Sequence, residues 1–268
     1  MMIDILSYQF AQNAIIAGIL ASITCAIIGT FVVSNKMNSL AGAIAHMSFG
    51  GIGLGYYLGI NPLISAVPFT VGASVIIGYI QEKVKTDVES VIAMMWAVGM
   101  ALGVLFIHFS LGYAPDLMSY IFGNILTVSL EQIYLMSILL VIIVGCVTIF
   151  FEKLKAMSFD EQFMRASGMN VFAYRLLLLA LVSLSIISMI KLVGIILVIA
   201  LLSIPAQIAK RFSSSILKMI FVSIILSLAF VMGGLLISFA FDLPSGATIV
   251  LLMGFGYLMN ILSFSRTK

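Results

Sequence analysis

The stretch QIYLMSILLVIIVGCVTIFF, residues 132–151, decides the fold class. It carries no charged side chain, and a membrane-spanning helix needs about 20 apolar residues. The same bias runs through the chain: 63% of its 268 residues are hydrophobic, 9% are charged, and the mean hydropathy is +1.26. Soluble domains carry about 25% charged residues, so this chain would lack a soluble surface. We therefore expect an all-α polytopic transmembrane helical bundle that forms a single domain, residues 1–268.

Apolar runs of spanning length follow one another along the chain. They lie at about 11–33, 40–59, 62–80, 91–111, 132–151, 174–190, 192–209, 215–240 and 245–262. Residues 117–130 are too short and too polar to cross a bilayer cleanly, and a re-entrant or interfacial helix fits them better. The sequence thus predicts eight or nine spans plus one short re-entrant helix.

The basic residues fix an expected orientation. With nine spans, every Lys and Arg except Lys191 falls on one side, which the positive-inside rule makes the cytoplasm. We expect a multi-pass protein of the cell (inner or plasma) membrane with its N-terminus outside and its C-terminus in the cytoplasm. Lys191 is expected to extend to the outer headgroups. The acidic residues left outside either concentrate cations or only solvate the loops; these are Asp4, Asp116, Glu131 and Asp242.

A polar connection at 151–175 follows the fifth run. Ser158 and Glu161 match the S-x-x-E pattern of a capping box, and Gly168 can end a helix in the left-handed conformation. The pattern predicts a short cytoplasmic helix over about 159–167. Its apolar residues Phe159, Phe163 and Ala166 recur every three to four positions, so one face could dock either on a partner or on the membrane domain itself.

The second run, LAGAIAHMSFGGIGLGYYLGINPL (residues 40–63), combines small residues with a histidine. Gly51, Gly55 and Gly59 repeat every four residues, a spacing that lets membrane helices pack closely. His46 is one of the chain's two histidines. An imidazole at membrane depth is either a ligand for a transition metal or a hydrogen-bonded structural residue, and spacing alone leaves both open.

The chain has no G-x-x-x-x-G-K-[ST] motif that would hold ATP phosphates. Any ATP-driven step would therefore need a second polypeptide, and the chain itself is not expected to be an enzyme. Mid-span carboxylates and a clear internal repeat, which would favour a secondary transporter, are not found. Paired nucleophiles and bases, which an intramembrane enzyme would need, are not found either.

Several stretches resemble the permeases of the zinc/manganese/iron ABC importer family (the ABC-3 type). They are KMNSLAGAIAHMSFGGIGLGYYLGINPL, FDEQFMRASGMNV, VGIILVIALLSIPAQIA and DLPSGATIVLL. The resemblance implies a homodimeric permease with the type II fold of vitamin B12 importers, lacking that fold's first helix. It further implies an ABC ATPase subunit, an extracytoplasmic metal-binding protein, the lipid bilayer as surroundings and no nucleic acid.

The resemblance also assigns roles to residues. The loop 152–173 would carry the coupling helix that docks on the ATPase; its expected coupling residues are Phe159, Asp160, Glu161, Phe163, Arg165 and Gly168. The family's second span usually reads D-A-[IL]-S-H, whereas this chain reads Gly42-Ala43-Ile44-Ala45-His46. His46 is therefore expected to need help in binding a metal, and the candidate helpers are His108, Asp116 and Glu131.

The expected function is inward movement of a divalent transition-metal ion (zinc, manganese or iron) by alternating access. No covalently bound cofactor and no catalytic residue is expected. A chelated metal or a small organic cofactor is the alternative cargo, and an ATP-independent secondary transporter is the less favoured alternative mechanism.

Overall fold

The computed structural model describes residues 8–83, 88–110, 120, 121, 123 and 125–265. These residues form α-helices joined by short turns, together with a 3-10 turn at Ile125–Thr127. The helices are α1 (Gln9–Ser34), α2 (Asn38–Leu58), α3 (Pro62–Lys83), α4 (Val88–His108), α5 (Leu130–Phe159), α6 (Glu161–Ala166), α7 (Val171–Phe212), α8 (Ile216–Phe241) and α9 (Ser245–Ser265). The prediction of an all-α helical bundle is confirmed.

Within the described residues, 8 helical segments are long and apolar enough to cross a membrane. They are α1, α3, α4, α5, the two halves of α7, α8 and α9. The remaining long helix, α2, has 21 residues and packs among them. The structure therefore agrees with the predicted eight or nine spans.

The long helix α7 is broken at Gly194, whose φ of 78° and ψ of 160° are not helical. On α1, the Cys25 sulfur lies 3.4 Å from the sulfur of Met189 in the first half of α7. One turn further along α1, Gly29 lies against the backbone of Leu202 in the second half. A straight helix would separate Met189 from Leu202 by about 20 Å. The two halves of α7 are therefore not collinear, and each is long and apolar enough to cross a membrane, in agreement with the two apolar runs of the sequence.

Helix α2 lies between α3, α4 and α7, and glycine backbones allow its closest contacts. A Cβ added at Gly53 would lie 2.5 Å from the carbonyl oxygen of Gly103 on α4. Added at Gly51 or Gly55, it would lie 2.8 Å or 2.6 Å from the backbone of α3. The predicted packing role of these two glycines agrees with this geometry.

Gly59 has a different role from the one predicted. It has no neighbour within 4 Å of an added Cβ, and its φ of 68° places it in the left-handed region at the C-cap of α2. A residue with a side chain is strained there, so Gly59 ends the helix rather than packing against another one.

Part of the predicted re-entrant segment packs inside the protein. Tyr120, Ile125 and Val128 are buried, and the Tyr120 hydroxyl is 2.7 Å from that of Tyr56 on α2. The amide of Asn13 on α1 donates a hydrogen bond of 3.0 Å to the Val128 carbonyl oxygen. Non-helical backbone at membrane depth is tolerated where protein surrounds it, and these contacts provide such surroundings.

Candidate functional site

The short helix α6 begins at a different residue from the one predicted. Helix α5 continues through Phe159, and the N-cap of α6 is Asp160, whose carboxylate accepts a hydrogen bond of 2.8 Å from the Phe163 amide. The predicted capping box of Ser158 and Glu161 is therefore wrong. The Ser158 hydroxyl instead donates to the Leu154 carbonyl within α5 and accepts from the side chain of Asn35. An Asp caps a helix as well as a Ser does, and here it lies two residues closer to the helix it caps.

The end of α6 matches the prediction for Gly168. This residue has a φ of 74° and donates to the Arg165 carbonyl, and the Met169 amide donates to the Met164 carbonyl. The two hydrogen bonds form a Schellman motif, which satisfies carbonyl groups that would otherwise lack partners. Helix α6 thus begins and ends at defined residues although it spans only Glu161–Ala166.

The apolar side chains of α6 and of Phe159 just before it differ in their exposure. Met164 is fully buried and anchors α6 on the membrane bundle. Phe159 and Phe163 are 68% and 65% exposed. Two phenyl rings at the surface of a polar loop form an apolar patch that a partner protein can cover.

Helix α6 is fastened by two arginines and two glutamates, which we call the Arg–Glu cluster: Glu82, Glu161, Arg165 and Arg175. Arg165 donates two hydrogen bonds, of 2.7 Å and 2.9 Å, to the two carboxylate oxygens of Glu82 at the end of α3. It also bonds to Glu161, one turn earlier on its own helix.

Arg175, in the first turns of α7, completes the cluster. Its guanidinium lies 3.0 Å from a Glu82 oxygen and 2.6 Å from a Glu161 oxygen. Bidentate arginine–carboxylate pairs are the geometrically most specific ion pairs. The side chains of Glu82 and Arg175 are only 17% and 16% exposed, so water competes weakly for them. The cluster therefore joins α6 to α3 and to α7.

The contacts within the Arg–Glu cluster shift the pKa of Glu161 and the pKa of Arg165. Burial raises the pKa of Glu161, but hydrogen bonds from Arg165 and Arg175 outweigh that effect and hold the pKa below its ordinary value. The same contacts act on the arginine, since the hydrogen bonds that Arg165 donates to Glu82 and then to Glu161 raise its pKa. Glu161 and Arg165 therefore stay ionised around neutral pH.

A second arrangement surrounds His46 on α2. Its imidazole stacks on the indole of Trp96 on α4, with ring centroids 4.8 Å apart and an interplanar angle of 9°. Its Nδ1 lies 3.1 Å from the Gly42 carbonyl oxygen. A carbonyl can only accept, so Nδ1 carries the hydrogen and Nε2 keeps the lone pair of the neutral ring. Metal-binding histidines commonly hold the second ring nitrogen in this way.

The structure does not bring the predicted metal ligands together. His108 is exposed at the end of α4, twelve residues or about 18 Å along the helix from Trp96, the contact of His46. Glu131 is exposed in the first turn of α5. Asp116 and Asp4 lie outside the described residues, as does the side chain of Lys191. Among the residues that are described, no group of three or more His, Cys, Asp or Glu side chains could hold a metal ion.

Two residues of these arrangements were not found by sequence reasoning. Glu82 carries no motif, and its contact with Arg165 joins residues 83 positions apart in the chain. Trp96 is the chain's only tryptophan, and this rarity is the one signal that the sequence offers for it. Its partner His46 lies on another helix. Pairing across helices is not encoded in local spacing.

The fold and these arrangements define a multi-pass helical membrane protein with a short, fastened helix in a polar loop. Residues 7–263 match the model of the ABC 3 transport family, and the chain belongs to that family. An uncharacterised membrane protein of Synechocystis sp. is 39% identical over 99% of this chain and 94% of its own length.

Two further proteins are similar over nearly the whole chain. The manganese transport system membrane protein MntC of Listeria monocytogenes is 31% identical over 92% of this chain and 88% of its own. The solved structure of PsaBC from Streptococcus pneumoniae in complex with Fab superposes with a TM-score of 0.87 and 32% identity, over 96% of this chain and 93% of that one. The expected family is thereby confirmed, together with the permease fold.

Proposed function

We propose that the chain is the membrane-spanning subunit of an ATP-driven importer and moves a divalent transition-metal ion inward by alternating access. Membership of the ABC 3 transport family supports the transporter class. The name of a relative, a manganese transport system membrane protein, supports a metal cargo. The observation that carries the coupling to ATP is the exposed Phe159–Phe163 patch at the junction of α5 with α6, the helix that the Arg–Glu cluster fastens.

In this proposal α6 is the helix that docks on a separate ATPase chain. Phe159 and Phe163 enter a groove of the partner, while Asp160 and Gly168 fix the helix ends. Glu161 and Arg165 join α6 to the bundle through the cluster, so a movement of the ATPase surface is passed to α3 and α7. The loop 152–173 acts as the coupling segment of one membrane domain, residues 1–268.

The ion path passes His46, which presents Nε2 as a ligand. At the opposite end of the bundle, Glu131 and Asp242 are exposed, and with Asp116 and His108 they attract the cation toward the entrance. This end faces outward, where an extracytoplasmic metal-binding protein delivers the ion. A second copy of the chain completes the path, and the N-terminus lies outside.

The test is reconstitution of the permease with its ATPase and delivery protein in liposomes. Phe159→Asp/Phe163→Asp should abolish co-purification of the ATPase and lower metal uptake by at least about tenfold, because charged side chains replace the two exposed rings that the ATPase would cover. Phe241→Asp is the matched control: Phe241 is 72% exposed at the end of α8, on the opposite side of the bundle from α6. It should keep the ATPase bound.

Two results would contradict the proposal. If the double variant still binds the ATPase and couples hydrolysis to uptake, α6 is not the docking helix. If no divalent metal stimulates ATP hydrolysis or enters the liposomes with the unmodified chain, the cargo is not a metal ion.

A further inference from the structure

We propose that the surface that binds the ATPase extends from α6 onto the connection between α7 and α8, where a cavity receives an acidic side chain of the ATPase. We call this the basic cavity; it lies beside Phe159 and is lined by Lys210 and the serines at 213–215. The inference rests on the proposed function and adds a second part to the same docking surface.

The small size of α6 requires a larger docking surface. The helix has 6 residues, whereas a stable interface takes about 20–30 residues from each partner. Neighbouring residues at the same end of the bundle must therefore contribute. On the side of α6 that contacts α3 and the start of α7, the charges of the Arg–Glu cluster already pair with one another.

The basic cavity continues the surface of α6, because Phe159 belongs to both. The exposed ring of Phe159 lies at a cavity of about 300 Å³, which Ser34 at the end of α1 and Ile216 at the start of α8 also line. Helix α1 is an inner helix, since 67% of its apolar window is buried inside the protein. The cavity therefore lies at the end of the bundle, where a soluble partner can reach it, and not on the perimeter that lipid covers.

The charge of this region is positive. Lys210 lines the cavity, and Arg211 and Lys218 flank the same connection. Residues 176–241 contain no Asp or Glu. Within the described part of the chain, Lys210 and Lys218 form no ion pair, and Arg211 bonds to Asn260 on α9. A concave surface with one sign of charge focuses the electrostatic field and attracts groups of the opposite sign.

The two acids that follow Phe159 in the chain are engaged by other residues. The Asp160 carboxylate accepts a hydrogen bond from the Phe163 amide as the N-cap of α6. Glu161 is held by both arginines of the Arg–Glu cluster. The ammonium group of Lys210 is therefore left for a carboxylate from outside the chain.

The two parts of this surface have the arrangement that protein interfaces show. Aromatic side chains are enriched at the centre of an interface, and polar and charged groups form its rim. Phe159 and Phe163 form such a centre, with Lys210 at its edge. A charge at the rim acts mainly on the rate of association with a partner of opposite charge. This property gives the proposal a distinctive kinetic signature.

The experiment measures the association and dissociation rate constants of the ATPase and the purified permease, in micelles of an uncharged detergent without added lipid. Lys210→Glu should lower the association rate constant by about fivefold or more at low salt, because it reverses a rim charge. The difference should fall below about twofold at about 1 M salt, where the Debye length is about 3 Å. A variant that is merely misfolded would not recover with salt.

Lys36→Glu is the matched control. Lys36 is exposed at the same end of the bundle but lines a different cavity, together with Glu161 and Arg175. The same change of charge there should alter the association rate constant by less than about twofold. Equal losses in the two variants would overturn the proposal, because net charge and not the basic cavity would then set the rate.

Carbodiimide cross-linking identifies what enters the cavity. The reagent joins a lysine amine to a carboxylate in contact with it, as an amide with loss of water, so Lys210 should be linked to an Asp or Glu of the ATPase. Lys210→Arg keeps the positive charge but lacks the amine, so it should bind the ATPase and lose the cross-link. If Lys210 of the unmodified complex is linked to no ATPase carboxylate, the proposal is wrong.

Two further outcomes separate this inference from its alternatives. If Lys210→Glu associates normally with the ATPase but retains less phosphatidylglycerol in native mass spectra, the cavity binds an anionic lipid and the proposal is overturned. If Phe159→Asp/Phe163→Asp abolishes ATPase binding while Lys210→Glu has no effect, docking is confined to α6 and only this inference fails. If the unmodified chain does not bind the ATPase at all, the proposed function fails instead.

Discussion

The Arg–Glu cluster makes a quantitative prediction for Glu82→Gln. Glu82 accepts three charged hydrogen bonds, two from Arg165 and one from Arg175. A hydrogen bond to a charged group contributes about 1.5–3 kcal/mol. Arg165 is 44% exposed, so water replaces part of what is lost, and Glu161 still pairs with both arginines. We expect the opening of α6 to become easier by about 2 kcal/mol in total.

The assay is hydrogen–deuterium exchange of the peptide that covers residues 160–169. Its amides bond within α6 and the Schellman motif, so their exchange reports the opening of this helix. A change of about 2 kcal/mol corresponds to exchange about 30-fold faster, since 1.4 kcal/mol is a factor of ten. Exchange in the centre of α1, which is far from the cluster in sequence and buried in the bundle, should not change.

Glu152→Gln is the matched control. Glu152 pairs with Lys155 at 3.1 Å, but the two side chains are 76% and 42% exposed. An exposed pair of this kind contributes less than about 0.5 kcal/mol, so exchange of the 160–169 peptide should rise less than about threefold. Equal exchange in the Glu82 and Glu152 variants would refute the reasoning that the cluster fastens α6.

Two further predictions concern pH and helix packing. Because the folded pKa of Glu161 is lowered, its stabilisation of α6 is complete above the ordinary carboxyl pKa of 4.5 and is lost as the pH falls through the lowered value. Exchange of the 160–169 peptide, corrected for intrinsic rates, should therefore stay constant from about pH 7 to 5 and rise below about 4.5. A rise that begins near neutral pH would contradict this assignment. Gly53→Ala should lower the melting temperature by several degrees, since overpacking costs about 1–3 kcal/mol. Gly72 has nothing within 4 Å of its added Cβ, so Gly72→Ala should leave the melting temperature equal or higher. Thermal-shift measurements on the two purified variants compare them directly, and a destabilised Gly72 variant would show that the added methyl group alone is harmful.

The sequence was sufficient for features that depend on neighbours along the chain. Apolar runs predicted the spans because lipid demands about 20 uncharged residues for each crossing. The Gly168 terminus was also predicted, since the left-handed position at a helix end favours glycine whatever packs around it.

Features that depend on contacts between helices were not predicted. The capping box failed because α5 extends through Phe159, and the sequence gives no signal that the helix should continue to that point. Asp160, two residues after Ser158, caps α6 instead. Glu82 and Trp96 act through partners on other helices, and a single sequence does not indicate which helices are adjacent.

The break in α7 at Gly194 has a mechanical consequence. The first half, Val171–Ile190, is a continuous helix of 20 residues, or about 30 Å. Arg175 holds its beginning in the Arg–Glu cluster, and beyond its far end the Val193–Gly194 backbone lies against Gly123. From Arg175 to Ile190 this rod is about 22 Å long, so a rotation of about 5° around Arg175 displaces its distant end by about 2 Å. A small angular change at the loop helix thus becomes a displacement on the scale of a covalent bond length or more at the far end of this helix half.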